Sequence, residues 1–233
     1  MTRDAYIKEL LEIFSPVSVL SAKSDCKVLR LRHKASGKDM VLRSFPEKLD
    51  AYEVLCGIRC ENLPEIYDAI DLEDGQIVFE EYIDGITVAQ VLEGGKYHYR
   101  GAKKVLSAVC HALTVLHDHG LVHRDVKPEN VMIGNDGRVV LIDFDASRRV
   151  SDAQRDTVIL GTVGYASPEQ LGITQSDART DIYAAGVMLN VMLTRKHPAE
   201  IFAKGHAGRI VRKCTALSPD DRYQSAEKLA LAL

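Results

Sequence analysis

The chain predicts an α+β protein of two lobes, on three observations. Short apolar runs of strand length fill its first third, patterns of helical period fill the rest, and the change of character falls at Ile83-Asp84-Gly85. In order, Ile7, Leu10, Leu11 and Phe14 have the spacing of a helix over 4–14 that Ser15-Pro16 ends. Residues 17–20, 27–32 and 40–45 read as strands, with a turn at Ala35-Ser36-Gly37-Lys38-Asp39 before the last. A short helix is expected over 48–58, then strands over 66–72 and 77–82 joined through Glu73-Asp74-Gly75. Beyond Gly85, the residues Val105, Val109, Ala112, Leu113 and Leu116 mark the buried stripe of a long helix. Residues 181–193 read as a helix apolar almost all round, which predicts a central position.

The 233 residues suffice for one sizeable core or two small lobes, not for several domains. A formal net charge of −3 leaves no basic footprint, so nucleic acid is not an expected partner. No apolar stretch approaches the roughly 20 residues of a membrane span. The start, Met1-Thr2-Arg3-Asp4, runs into a charged segment and not a signal-peptide core. Five cysteines form no metal-like pairing beyond Cys56-x-x-x-Cys60, so they read as buried free thiols and the protein as cytoplasmic.

The densest chemistry lies at His123-Arg124-Asp125-Val126-Lys127-Pro128-Glu129-Asn130, ahead of the strand-like Val131-Met132-Ile133. Asp143 follows a second such run, Val139-Val140-Leu141-Ile142. Lys127 is two positions beyond Asp125, so in extended backbone both side chains face one side. A base, a cation suited to phosphate and two oxygen ligands for Mg²⁺ are the parts that phosphoryl transfer to a hydroxyl requires. Any one of these residues alone is compatible with a purely structural role.

Together they resemble the catalytic loop of eukaryotic-type protein kinases, H-R-D-x-K-x-x-N followed by D-F-G. Gly161-Thr162-Val163-Gly164-Tyr165-Ala166-Ser167-Pro168-Glu169 resembles the segment that closes a kinase activation loop. Asp181 and Gly186 match the D-x-x-x-x-G of that family's central helix, and Arg222 matches the late arginine that pairs with Glu169. The resemblance implies one protein-kinase-like domain over 1–233. Its small antiparallel-sheet N-lobe would cover about 1–82, its hinge about 81–85 and its mainly helical C-lobe about 86–233. It implies that Asp125 accepts or orients the proton of the attacking hydroxyl, Lys127 stabilises the moving phosphoryl group, and Asn130 and Asp143 hold Mg²⁺. ATP would be bound by Val28, Arg43, Glu81, Ile83, Lys127, Asn130, Met132 and Asp143. Lys127-Pro128-Glu129 is typical of members that act on Ser/Thr of a protein substrate. Thr162 would help position Asp125, and Arg124 offers a bidentate site for a phosphorylated activation loop. Thr157 is either the acceptor of that phosphate or a solvated loop threonine.

The N-terminal third departs from the family. The glycine-rich G-x-G-x-x-G-x-V reads here as Ser21-x-Lys23-x-x-Cys26-x-Val28, without a glycine, and Arg43 stands where the strand-three lysine is expected. Lys23 or Lys27 could supply a point charge from the hairpin, or both are solvated. Glu53, with Asp50 behind it, is the candidate for the helix glutamate, and Glu80, at the back of the nucleotide pocket, is a conceivable substitute partner for Arg43. Asp145 replaces the glycine of D-F-G, at a site where left-handed backbone is expected. The short interval from Asp181 to Arg222 leaves little room for a peptide-docking helix. Three readings stay open: an ATP- and Mg²⁺-dependent Ser/Thr protein kinase, a pseudokinase or nucleotide-binding scaffold with little or no turnover, and a small-molecule kinase of the aminoglycoside or choline type. The last shares only the H-x-D…N…D skeleton.

Overall fold

Seven elements build the first of two units in the computed structural model, which describes residues 1–23, 26–149, 164–171 and 176–233. They are α1 (Arg3–Leu10), β1 (Phe14–Lys23), β2 (Cys26–His33), β3 (Asp39–Phe45), α2 (Asp50–Leu55), β4 (Ile66–Leu72) and β5 (Gly75–Glu81). The strands form one antiparallel sheet in the order β1-β2-β3-β5-β4. The inner strands β3 and β5 are buried along most of their length and carry the polar Arg43, Ser44, Gln76 and Glu80 among their buried positions, whereas β2 and β4 bury only scattered positions. Leu10 and Phe14 join Leu31, Leu42, Ile77 and Phe79 in one core, with the Phe14 and Phe79 rings stacked at 6.1 Å. The N-terminal segment therefore covers its own sheet.

Two helices end short of their expected bounds. The helix expected over 4–14 stops at Leu10, and Phe14, Ser15 and Pro16 open β1 instead of ending a helix. Pro16 is tolerated because β1 is an edge strand and a bulge follows at Pro16/Ser18. The helix expected over 48–58 shrinks to α2, since its N-cap, Leu49, has no side-chain oxygen and Gly57 (φ 90°) turns the chain beyond it.

The units divide between Ile83 and Asp84, with Glu61–Leu63 grouped in the second. That unit holds β6 (Gly85–Thr87), α3 (Val88–Glu93), α4 (Tyr99–Asp118), β7 (Leu121–Val122), β8 (Val131–Gly134), β9 (Val139–Leu141), β10 (Arg148–Arg149), α5 (Ala178–Thr194), α6 (Gly205–Cys214) and α7 (Ala226–Ala232). A three-stranded sheet β6-β8-β9 and a two-stranded pair β10-β7 lie among the helices. The five stripe residues of α4 are all buried, and α5 is buried nearly throughout. Gly186 is required there: a Cβ at this position would collide with the Cys214 side chain on α6. Residues 195–204, between α5 and α6, carry no helix. Buried Asn190 organises this linker, donating to Lys196 O and Ile201 O and accepting from Ala203 N, each at 2.8 Å. All five cysteines are unbridged. Only Cys110 and Cys214 are buried, Cys56 is exposed, and Cys26 and Cys60 are partly exposed, which corrects the expectation of buried thiols throughout. No described helix is long and apolar enough to cross a membrane.

Candidate active site

The loop between β7 and β8 carries the expected constellation. Lys127 is extended (φ −158°, ψ 166°), and its Nζ lies 2.6 Å from Asp125 Oδ2, so the two-residue spacing does bring both side chains to one side. A 3₁₀ turn at Pro128–Asn130 then swings Asn130 back, and its Nδ2 donates to Asp125 Oδ2 and to Asp125 O, each at 2.9 Å. The Asp125 carboxylate thus accepts from an ammonium and an amide while its side chain stays 15% exposed, enough for a hydroxyl to reach it.

Rigid groups beneath hold this loop. His123 is fully buried, accepts from Asp125 N at Nδ1 (3.3 Å), approaches Ile142 O with Nε2 (3.2 Å) and packs edge-on against Phe144. Burial lowers its pKa against the pull of nearby Asp181, Asp143 and Asp125, so the ring stays neutral. Asp181 of α5, also fully buried, accepts from His123 N (2.9 Å), Arg124 N (2.7 Å) and His117 Nε2 (2.8 Å). Burial alone would raise the Asp181 pKa, but the His117 bond and the backbone N–H donors overrule it and hold the carboxyl below its ordinary range. Arg124 is buried in left-handed backbone (φ 68°), a strained state for arginine, and Asp181 on its N–H together with Gln170 Nε2 on its carbonyl (2.9 Å) holds it there.

Asp143 is left-handed as well (φ 72°), and Asp145 is not among the described residues with positive φ. The glycine of D-F-G is thus replaced at a position whose backbone does not demand one, and the expected left-handed site moves two residues upstream. Ile142 N donates to Asn130 O (2.9 Å), which sets Asn130 beside the strand end that leads into Asp143. Asn130 commits its amide nitrogen to Asp125, so its Oδ1 is the atom it can turn to a cation. Among the described residues no three His, Cys, Asp or Glu gather into a metal cage. One amide oxygen and one carboxylate fit Mg²⁺ held jointly with phosphates, since that ion takes few protein ligands and keeps the rest of its shell for substrate and water. Met132 sits partly buried on β8, opposite Val140.

In the first unit Val28 and Arg43 are directly opposite on β2 and β3, both buried. Arg43 Nε donates to Glu80 Oε1 at 2.8 Å. Glu53, by contrast, binds Lys48 (2.6 Å), which also bridges to Asp71 (2.8 Å), so the expectation that α2 presents its glutamate to Arg43 is corrected. Lys27 is half-exposed and 3.7 Å from Asp4, a solvated surface lysine. Glu81 N donates to Glu65 O (2.8 Å), and Ile83 is buried. Thr157, Gly161, Thr162, Val163 and the Lys23 side chain lie outside the described residues. Glu169 and Arg222 do pair, Nη1 to Oε1 at 2.5 Å and Nη2 to Oε2 at 2.9 Å.

The sequence-family model described as protein kinase domain matches residues 24–229. The chain belongs to the protein kinase family. Similar proteins include the serine/threonine-protein kinase PknB of Mycolicibacterium smegmatis, 32% identical over 64% of this chain and 28% of that protein. A probable serine/threonine-protein kinase of Corynebacterium efficiens is 41% identical over 61% of this chain and 26% of its own length. Serine/threonine-protein kinase D of Synechocystis is 27% identical over 84% of this chain and 42% of its own. The chain therefore spans about a quarter to two-fifths of the relatives it matches.

As a protein kinase domain it is normal where the hydroxyl would be activated and unusual in its sheet. Sequence reasoning missed His117, Gln170 and Asn190, the first two supporting the loop around Asp125 and the third the linker between α5 and α6. Nothing in their spacing marks them, because each acts on backbone or carboxylate groups distant in sequence.

Proposed function

We propose that this domain is a serine/threonine protein kinase that moves the γ-phosphate of ATP to a protein hydroxyl. The observation that carries it is the bonded set in which Lys127 and Asn130 both donate to Asp125 Oδ2. Asp125 would take or orient the hydroxyl proton. The hydroxyl oxygen bonds to the γ-phosphorus as the bond from that phosphorus to the β,γ-bridging oxygen breaks, and ADP departs. Lys127 would stabilise charge on the phosphoryl oxygens in transit. Asn130 Oδ1 and the Asp143 carboxylate would hold Mg²⁺, which neutralises the nucleotide phosphates when bound. Val28, Arg43, Glu81, Ile83 and Met132 would line the nucleotide's place. Five unbridged thiols support a reducing, cytoplasmic setting.

A scaffold with the kinase fold is the second reading, favoured by the hairpin without glycine and by Arg43. One experiment separates the two. Mg²⁺-ATP is expected to raise the melting temperature above that in Mg²⁺ alone, since a ligand of the folded state stabilises it, and the domain is expected to release ADP when given a Ser/Thr substrate. A melting shift without ADP formation across a panel of protein substrates supports the scaffold, and no shift removes nucleotide binding altogether.

A further inference from the structure

Resting on that proposed function, we infer that the cationic clamp for nucleotide phosphate is built inside one sheet, with Glu80 as the positioning residue of Arg43 and α2 released from that duty. Arg43 on β3 pairs across the sheet with Val78 of β5, and Glu80 is two residues further along β5. Positions two apart share a face, so Glu80 is the diagonal neighbour of Arg43 and within reach of a long side chain. Both side chains are more than nine-tenths buried, and Glu80 Oε1 accepts from Nε. That bond fixes the guanidinium close to the end of its flexible stem, which a lysine, having no Nε, cannot reproduce. Meanwhile Glu53 of α2 is held by Lys48, and Lys48 by Asp71, at the exposed edge of the same unit.

A pair strung between two hydrogen-bonded strands cannot open when a helix shifts. In kinases whose lysine depends on a helix glutamate, movement of that helix makes or breaks the clamp. Here the clamp is permanent, and α2 can be six residues long without loss. A buried ion pair adds little net stability compared with apolar side chains of similar volume. Its presence in this sheet is therefore explained by what Arg43 must do, not by the fold.

The test compares wild type with Glu53→Gln, Glu80→Gln, Arg43→Lys and the double variant Arg43→Leu/Glu80→Leu. The readouts are melting temperature without nucleotide and the dissociation constant for Mg²⁺-ADP by calorimetry. Glu53→Gln is expected to stay within about twofold of wild type in affinity, as an exposed pair contributes little. Glu80→Gln and Arg43→Lys should lose about tenfold or more, as truncation of a buried charge pair does. The double variant should melt near wild type yet bind as poorly as Glu80→Gln, which a merely structural pair would not do. Equal weakening by Glu53→Gln, or a Glu80→Gln protein that binds like wild type, overturns the inference. Absence of binding by wild type overturns both this and the proposed function. The expected binding pattern without phosphate transfer overturns the kinase reading alone.

Discussion

Asp125→Asn is expected to leave the domain folded and nucleotide affinity unchanged while cutting phosphate transfer by about 10²–10⁴-fold, the usual worth of a positioned acid or base. The replacement keeps the shape of the side chain but removes the negative charge that Lys127 Nζ and Asn130 Nδ2 both address. Folding tolerates this, since the carboxylate is partly solvated and the loop is held from below by His123 and Asp181. Initial rates of transfer from γ-labelled ATP check it, with melting temperature as the control. Undiminished transfer would mean that another group activates the hydroxyl.

Arg222→Ala is expected to lose about 3–5 kcal/mol of stability, read from denaturant midpoints, because it leaves Glu169 charged, buried and unmatched. The loss is large because the guanidinium also donates to Ala216 O (2.9 Å), Arg179 O (3.0 Å) and Leu217 O (3.1 Å), joining the segment before α7 to the start of α5. Glu169 accepts a further bond from Thr180 Oγ1 at 3.1 Å. The sign of the pH effect follows from the carboxyl. Burial would raise its pKa, yet Arg222 outweighs burial and holds it below the ordinary 4.5. A lowered folded-state pKa gives stability that is complete above 4.5 and lost as pH falls through the folded value. Wild type should thus lose stability progressively below pH 4.5, and Glu169→Gln should flatten that part of the profile while lowering the plateau.

Much of this was legible in the chain because it is local. Extended backbone puts residues two apart on one side, so Asp125 and Lys127 could be read together. The stripe of α4 and the apolar girth of α5 follow from helical period. What could not be read depends on partners far apart in sequence or on competition between alternatives. Phe14 has the spacing of one more helical turn, yet the sheet claims it because its ring finds Phe79. Glu53 has the chemistry of a clamp residue, but Lys48, itself bridged to Asp71, takes it instead. The left-handed backbone of Arg124 is held by hydrogen bonds to Asp181 of α5 and from Gln170 in the turn at Pro168–Leu171, which no nearby residue announces.

The most direct measurement is the location of phosphate by mass spectrometry, after wild type is incubated with Mg²⁺-ATP and a mixture of unphosphorylated proteins. The predicted result is new phosphate esters on serine and threonine hydroxyls that vanish when Mg²⁺ is chelated. Bound nucleotide with no phosphate on any protein hydroxyl would contradict the account.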